Sequence, residues 1–325
     1  MRVFVTGGAG FLGSHLCDAL IARGDEVFVL DTGSIAKVRH LLSNPRFHYV
    51  HDSIFNVELI DGLAAKADLI YHLAAVVGVE HYVADPYETL NVNVNGTQNL
   101  LKAAYKYGKR LVLSSTSEVY GRNPKVPWKE DDDRVLGATT VDRWCYSTSK
   151  AVGEHFCFAY HKLGLPVTVV RYFNVYGPRL DKLDVGRLFT IFMGQLLRGA
   201  DLTVIGDGSQ TRCFTYVSDA IAATVQAGLN PAADGQAINI GVDIETTVLE
   251  FARRIVDLTG SRSHIVHKPL PADDPKQRQP DISLARKLLG WEPKVPLETG
   301  LRKSIDYFAG LILSGGTARP AGTGA

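Results

Sequence analysis

The chain has 325 residues, 46% of them hydrophobic, with 35 basic side chains set against 34 acidic ones and a net charge of +1. That length fills a sizeable core in one large domain or two coupled ones, and the interspersed charge leaves no basic face for nucleic acid or a lipid surface. The four cysteines, Cys17, Cys145, Cys157 and Cys213, form no Cys-x-x-Cys pair, no signal peptide precedes the first strand, and no apolar run reaches the ~20 residues of a membrane helix. A soluble cytoplasmic protein with no metal site is expected.

Val3, Phe4 and Val5 read as a short buried strand, and Gly7, Gly10 and Gly13 follow at intervals of three. Leu12, Leu16, Leu20 and Ile21 continue as the inner face of a helix. A phosphate comes close to main chain only where side chains are absent, and the first turn of a helix offers unpaired N–H groups and a partial positive charge. A second strand, Glu26-Val27-Phe28-Val29-Leu30, ends in Asp31. A carboxylate about twenty residues beyond the glycines accepts hydrogen bonds from a ribose 2′-OH and repels a 2′-phosphate, so NAD is expected rather than NADP.

A third strand, Phe47-His48-Tyr49-Val50, leads to Asp52 and Ser53. Asp52 suits either the adenine amino group or the N-cap of the next helix. The fourth strand, Asp68 to His72, runs into Leu73, Ala74 and Ala75, where small residues let main chain lie against a cofactor. A helix from Pro86 to about Tyr107 has a core face of Leu90, Val94, Leu100, Leu101 and Ala104. Its asparagines, Asn91, Asn93 and Asn95, suit tying main chain together better than holding a ligand. The fifth strand, Arg110 to Thr116, breaks into hydroxyls from Ser114 and continues as Ser117-Glu118-Val119-Tyr120-Gly121. Arg122 to Arg143, with two prolines and three successive aspartates, reads as an exposed loop. A long helix then opens at Arg143, and a sixth strand, Pro166 to Arg171, completes a doubly wound sheet.

The remainder predicts a helix around Phe189 to Leu197, a strand at Leu202 to Ile205, and another at Ala237 to Gly241. A helix from Val248 to Leu258, a Pro-rich stretch from Pro269 to Pro280 and a last helix ending near Phe308 follow. The predicted fold is α/β. A Rossmann domain spans 1–175 with a later return near 210–245, and a smaller mixed α/β substrate subdomain, interleaved with it, spans 176–310. Residues 311–325, with no apolar anchor in the final stretch, read as a disordered tail.

Tyr146 and Lys150 stand at i and i+4 on a predicted helix and share a face. A phenol with a pKa of about 10 is a poor base at neutral pH, but a nearby ammonium and a positively charged nicotinamide stabilise its phenolate. That phenolate takes a proton from a sugar hydroxyl while NAD takes the hydride from the same carbon. Thr116 supplies a second hydroxyl for that oxygen.

Taken together, Thr6-Gly7-Gly8-Ala9-Gly10-Phe11-Leu12-Gly13, Asp31, His72-Leu73-Ala74-Ala75, Ser114 to Gly121, Tyr146-x-x-x-Lys150 and Arg171 to Pro178 resemble the extended short-chain dehydrogenases/reductases that modify nucleotide sugars. The resemblance covers about residues 1 to 308. It implies that Gly7, Gly10, Phe11, Leu12, Gly13, Asp31, Asp52, Ser53, Leu73, Ala74, Ala75, Ser114 and Tyr172 face NAD, together with Tyr146 and Lys150. It also implies that Asn174, Arg187, Thr203, Val204, Arg212 and Tyr216 lie near a UDP-linked substrate. Arg212 is the expected diphosphate clamp, since a guanidinium suits a diphosphate bidentately.

Within that family the residues after Thr116 discriminate. Dehydratases carry Thr-Asp-Glu, and here Ser117 is no acid at neutral pH. Plain 4-epimerases usually have small or neutral residues in place of the Ser-Glu pair. Thr116-Ser117-Glu118 resembles the UDP-glucuronate decarboxylases, which also carry an arginine matching Arg278 within Asp273 to Asp281. The resemblance therefore implies catalytic roles for Thr116, Glu118, Tyr146, Lys150 and Arg278. The expected reaction is oxidation at sugar C4, loss of CO2, and either re-reduction to UDP-xylose or release of the 4-keto pentose. A UDP-sugar 4-epimerase is the alternative, and a non-catalytic NAD-sensing regulator a third. The stretch Val76 to Tyr82 departs from the Ser- and Pro-rich pattern of UDP-xylose synthases and leaves the sugar's identity open. A homodimer is expected through the helices around Leu90–Tyr107 and Ala151–Leu163, whose Phe156, Phe158 and Tyr160 exceed one core stripe.

Overall fold

Strands of consecutive Val, Ile, Leu and Phe alternate with amphipathic helices from the first residues onward. The computed structural model describes residues 1–180, 183–184, 186–269 and 277–315. The first half comprises β1 (Arg2–Thr6), α1 (Phe11–Arg23), β2 (Glu26–Asp31), β3 (Phe47–His51), α2 (Val57–Lys66), β4 (Leu69–His72), α3 (Val79–Ala84), α4 (Pro86–Leu90), a π-helical turn (Asn91–Gly96), α5 (Thr97–Lys106), β5 (Arg110–Thr116), α6 (Arg143–Lys162), β6 (Val167–Tyr172) and β7 (Val175–Tyr176). It continues with α7 (Leu188–Leu197), β8 (Leu202–Ile205), β9 (Thr211–Arg212), β10 (Thr215–Tyr216), α8 (Val217–Leu229), β11 (Gln236–Ile240), β12 (Thr246–Thr247), α9 (Val248–Thr259), β13 (Ile265–Lys268), α10 (Ser283–Leu289) and α11 (Leu297–Gly315).

Seven strands pair in parallel in the order β3-β2-β1-β4-β5-β6-β11. Both faces of a parallel sheet are covered, so its strands are apolar on both sides. β1 shows the alternation. Val3 and Val5 join the core beneath α1 and α8, and Phe4 joins the core beneath α2, α5 and α6. The chain leaves β1 outward through β2 and β3 and then returns to β4 on the other side. That reversal opens a crevice beyond the carboxyl ends of β1 and β4. Among the described residues three two-stranded pieces, β7–β10, β9–β12 and β8–β13, sit beyond the main sheet.

The fold departs from the sequence reading at several points, and Leu90, expected on a core face, is exposed. The sheet is not complete at β6, because β11 adds a seventh strand from far along the chain. The helix from Pro86 to Tyr107 is interrupted by the π-helical turn. Thr97 Oγ1 donates to the Asn93 carbonyl there, and such side-chain bonds compete with the regular ladder. The loop 122–143 is not simply exposed, since Trp128 is fully buried against Tyr120 and Phe173. β13 stands just before the Pro-rich stretch, where no strand is expected. The last helix runs to Gly315, past Phe308, and residues 316–325 lie outside the described residues.

Candidate active site

One cleft of about 1250 Å³ opens at the crevice. At its β1–β4 end the walls are main chain. Gly7 adopts φ +73°, and a Cβ there would stand 2.5 Å from the Ala74 nitrogen. A Cβ on Gly13 would overlap the Gly7 carbonyl. Gly10 is the N-cap of α1 and offers no side-chain cap, so the helix's first N–H groups are left for a ligand. Asp31 pins this loop from β2: its carboxylate oxygens accept from Ala9 N at 2.8 Å and Gly33 N at 2.7 Å. Gly10, Phe11, Leu12 and Asp31 all line the cleft.

A buried polar chain holds the opposite wall. Thr97 spends its hydroxyl proton on the Asn93 carbonyl at 2.6 Å and therefore accepts from His72 Nε2 at 2.9 Å. His72 Nδ1 then accepts from the Thr6 hydroxyl at 2.7 Å. Burial, with Lys150 nearby, lowers the His72 pKa to about 3, which agrees with this neutral tautomer. Asn93 also grips both main-chain atoms of Val76 and donates to Ser149 on α6. This tying of main chain is the role expected for the asparagines, and it sets Leu73, Ala74 and Ala75 along the cleft.

Asp52 and Ser53 line the cleft, and Asp52 accepts from Ser53 N and Asn56 Nδ2 at 2.6 and 2.7 Å. The N-cap of α2 is Asn56, which accepts from Leu59 N, so the capping option for Asp52 is replaced. Ser114 and Tyr172 are in the wall, though the Tyr172 hydroxyl is bonded to Thr224 at 2.6 Å. Asn174 contributes a buried Nδ2 that has no hydrogen-bond partner, on a backbone at φ +38°. A glycine cradle that any Cβ would fill, uncapped helix N–H groups and this unsatisfied amide fit a dinucleotide with a diphosphate-linked substrate beside it.

Around Glu118 the walls change to charged side chains. Thr116 Oγ1 accepts from Glu118 N at 3.2 Å, and Ser147 donates to the Glu118 carbonyl at 2.7 Å. The short turn is thereby tied to α6 beside Tyr146. Glu118 forms an ion pair with the nearly buried Arg278. Burial alone would raise the Glu118 pKa, but Arg278, with Arg143 and Arg212 beyond it, holds it below the ordinary value. Tyr146 stacks on Tyr82 with centroids 5.1 Å apart and planes at 5°. Burial, then Glu118, pushes the Tyr146 phenol up to about 12, against the pull of Arg187 and Thr116. Burial lowers Lys150 to about 8, against Glu154 and Cys157. Tyr146 and Lys150 both line the cleft, one turn apart on α6.

Arg187, over the Phe11 ring at 5.7 Å, and Arg212 also line the cleft. Thr203, Val204 and Tyr216 do not line it. Val204 is fully buried in the core, Thr203 N–H is bonded to Gln195, and Tyr216 packs edge-on against Tyr176. Ile205, Gln210 and Phe214 from the same segments reach the cleft instead. Sequence reasoning tied the stretch Val76 to Tyr82 to the sugar without singling out Tyr82, and it did not assign Arg143 to the site. Arg143, one turn before Tyr146 on the same helix, was within reach of the spacing argument. Tyr82 has no comparable spacing to Tyr146, since it stacks from a distant helix.

A parallel doubly wound sheet, a glycine-lined cradle and a Tyr146–Lys150 pair facing a cation-rich pocket define a dinucleotide-dependent enzyme class acting on an anionic substrate. The match to the family described as NAD dependent epimerase/dehydratase runs over residues 3–241, and the chain belongs to that family. It is 40% identical over 314 residues to a UDP-N-acetyl-alpha-D-glucosaminuronate decarboxylase of Bacillus cytotoxicus, covering 94% of this chain and 97% of that one. It is 44% identical over 312 residues to UDP-glucuronic acid decarboxylase 1 of Danio rerio, covering 95% and 72%. Among solved structures, it superposes on a UDP-glucuronic acid 4-epimerase from Bacillus cereus in complex with UDP-glucuronic acid and NAD. The TM-score is 0.86 and the identity 32%, over 96% of this chain and all of that one. Among the described residues no helix is long and apolar enough to cross a membrane, and no cluster of His, Cys, Asp and Glu could hold a metal ion.

Proposed function

We propose that this protein decarboxylates UDP-glucuronate in an NAD-dependent reaction. The sugar is oxidised at C4, CO2 leaves, and the 4-keto pentose is reduced to UDP-xylose or released. NAD, when bound, accepts the C4 hydride and can return it. Gly7, Gly10, Phe11, Leu12, Gly13, Asp31, Asp52, Ser53, Leu73, Ala74, Ala75, Ser114 and Tyr172 hold it, and the carboxylate of Asp31 favours NAD over NADP.

The reading rests on one observation, the Glu118–Arg278 pair in the wall that also holds Thr116 and Tyr146. Tyr146 takes the C4 hydroxyl proton, and Lys150 balances the charge that develops. A nicotinamide cation, when bound, would stabilise the phenolate. A C4 ketone is β to the C6 carboxylate, so the electrons of the breaking C–C bond settle in an enolate. Thr116 and Tyr146 stabilise that oxygen, and a substrate carboxylate answers the guanidinium of Arg278. Glu118 supports proton return at C5. Asn174, Arg187 and Arg212 bind the diphosphate and its base. Around one carboxylate, Glu118, the cations Arg143, Arg187, Arg212 and Arg278 suit a substrate carrying both a diphosphate and a carboxylate.

A 4-epimerase is the alternative, in which the keto sugar turns over and is reduced from its other face. Incubation of the protein with UDP-glucuronate, its 2-acetamido counterpart and neutral UDP-sugars, each with NAD, separates the two. CO2 and a UDP-pentose are expected, and an isomer of unchanged mass with no CO2 would overturn the decarboxylase reading. The proposal includes a cytoplasmic homodimer. Phe156, Phe158 and Tyr160 are half-buried against the core, so Tyr87, Leu90, Tyr105 and Leu163, which are exposed, are the residues that support a helix–helix interface. A monomer in sedimentation would reject it.

A further inference from the structure

Beneath the cleft floor, a buried polar chain runs from β5 to the segment that carries Arg278. Ser115 Oγ donates to Glu154 at 2.5 Å, and Arg171 holds both oxygens of Glu154 at 3.0 and 2.7 Å. Arg171 Nη1 reaches the Tyr120 hydroxyl and the Glu130 carbonyl, each at 2.8 Å. Tyr120 then donates to Asn239 Oδ1 at 2.7 Å. Asn239 Nδ2 donates to the carbonyls of Trp128 and Asp281, at 2.9 and 3.3 Å, and its main-chain N–H meets Glu130 Oε1 at 2.8 Å. Glu154, Arg171 and Asn239 are all buried.

Desolvating an ion pair is unfavourable, and a well-packed apolar replacement is often as stable, so stability alone gives no reason for this arrangement. Its far end does. Trp128 N–H donates to the Gln279 carbonyl and Asp281 N–H donates to the Trp128 carbonyl, each at 2.8 Å. This clasp grips the chain immediately after Arg278. Asn239 fixes both halves of the clasp to β11 of the central sheet. Its amide donates to two carbonyls and accepts a phenol at the same time; an aspartate would aim an oxygen at both carbonyls, and a leucine would remove all three bonds.

We propose that Asn239 is a positioning residue for the reaction: through the Trp128–Asp281 clasp it sets Arg278 against Glu118. The near end of the chain adjoins the other catalytic elements, since Ser115 precedes Thr116 on β5 and Glu154 follows Lys150 by one turn on α6. The network therefore ties three separate stretches of chain to one frame. The inference rests on the reading of Glu118 and Arg278 as the pair that meets the sugar.

The test is a double-mutant cycle of Asn239→Ala with Arg278→Ala. It follows kcat and KM for whichever UDP-sugar the wild type converts, with NAD affinity measured by calorimetry. Asn239→Ala should lower kcat on the order of 100-fold, the loss that a misplacement of about 1 Å produces, with NAD affinity unchanged. In the Arg278→Ala background the same substitution should cost less than about 2-fold, because the group it positions is already gone. A loss that persists in full in that background, or a wild-type kcat in the single variant, would overturn the proposal. Should Asn239→Ala not fold, Tyr120→Phe takes its place. It keeps the ring stack on Trp128 and removes the hydroxyl that Asn239 accepts, and the same non-additivity is required of it. If the wild type makes an isomer and no CO2, the decarboxylase reading fails while the cycle is still read on isomer formation.

Discussion

The cleft is walled by main chain at the dinucleotide end and by charged side chains around Glu118. At the first end β1, the glycine turn and α1 are contiguous in the chain, and contacts such as Gly13 against Gly7 and Asp31 on Ala9 are short in sequence, although Gly7 also packs on Ala74. At the second end Tyr82, Glu118, Arg143, Tyr146, Arg212 and Arg278 come from distant segments. On the proposed function the first end recognises phosphate by geometry, which a Cβ spoils. The second works by charge balance, which a single lost partner upsets. Substitutions at the two ends should therefore fail in different ways.

The largest effect is expected from Tyr146→Phe. It removes the hydroxyl that exchanges the C4 proton and should lower kcat by about 1000-fold or more, with NAD binding intact. A variant as active as wild type would remove the catalytic reading and revive an NAD-sensing role. Arg278→Ala should lower kcat by about 100-fold and also shift the pH profile. The Glu118 carboxyl is held below its ordinary value, so its ion pair stabilises the fold above the unfolded carboxylate pKa and is lost as pH falls through the folded one. Without Arg278, burial is opposed only by the more distant cations, and the acid limb of kcat against pH should move upward. An unmoved acid limb would show that Arg278 does not set the charge of Glu118.

Gly13→Ala probes the other end. Overlap with the Gly7 carbonyl should destabilise the fold by about 1–3 kcal/mol and weaken NAD binding, read by thermal melting and calorimetry, with little change in the pH profile of the residual activity. Lys150→Met separates stability from chemistry. Burial lowers the Lys150 pKa from 10.5 to about 8, so between those values the unfolded chain binds more protons and wild-type stability rises with pH. The variant should be inactive, more stable at neutral pH, and without that rise. The smallest effect is expected from Asp31→Ser, which should narrow the preference for NAD over NADP while leaving kcat with NAD within about tenfold. An unchanged cofactor ratio would argue that Asp31 acts on the loop alone.

The difference between the two ends also explains what could be read beforehand. The glycine spacing, the acid after β2 and the Tyr146–Lys150 pair are local patterns, and local patterns carry their geometry with them. Loop 122–143 misled because composition averages over a segment: many polar residues concealed Trp128, whose indole is core and whose main chain clasps Gln279 and Asp281. Arg278 was legible only through resemblance. Asp273 and Asp274, the acids just before it in the chain, lie outside the described residues, whereas its ion pair with Glu118 is explicit. Val204 points into the core and Ile205, next on β8, reaches the cleft, since successive residues of a strand meet opposite sides.

By itself the sequence determined the alternation of strands and helices, the glycine turn of the dinucleotide cradle and the helix that carries tyrosine and lysine, because each depends on residues within a few turns of one another. Only the tertiary structure decided that β11 joins the sheet, that Tyr82 stacks on Tyr146, and that Arg278 meets Glu118 across the cleft. Those pairings depend on which distant surfaces exclude water together, and no local period in the chain records that.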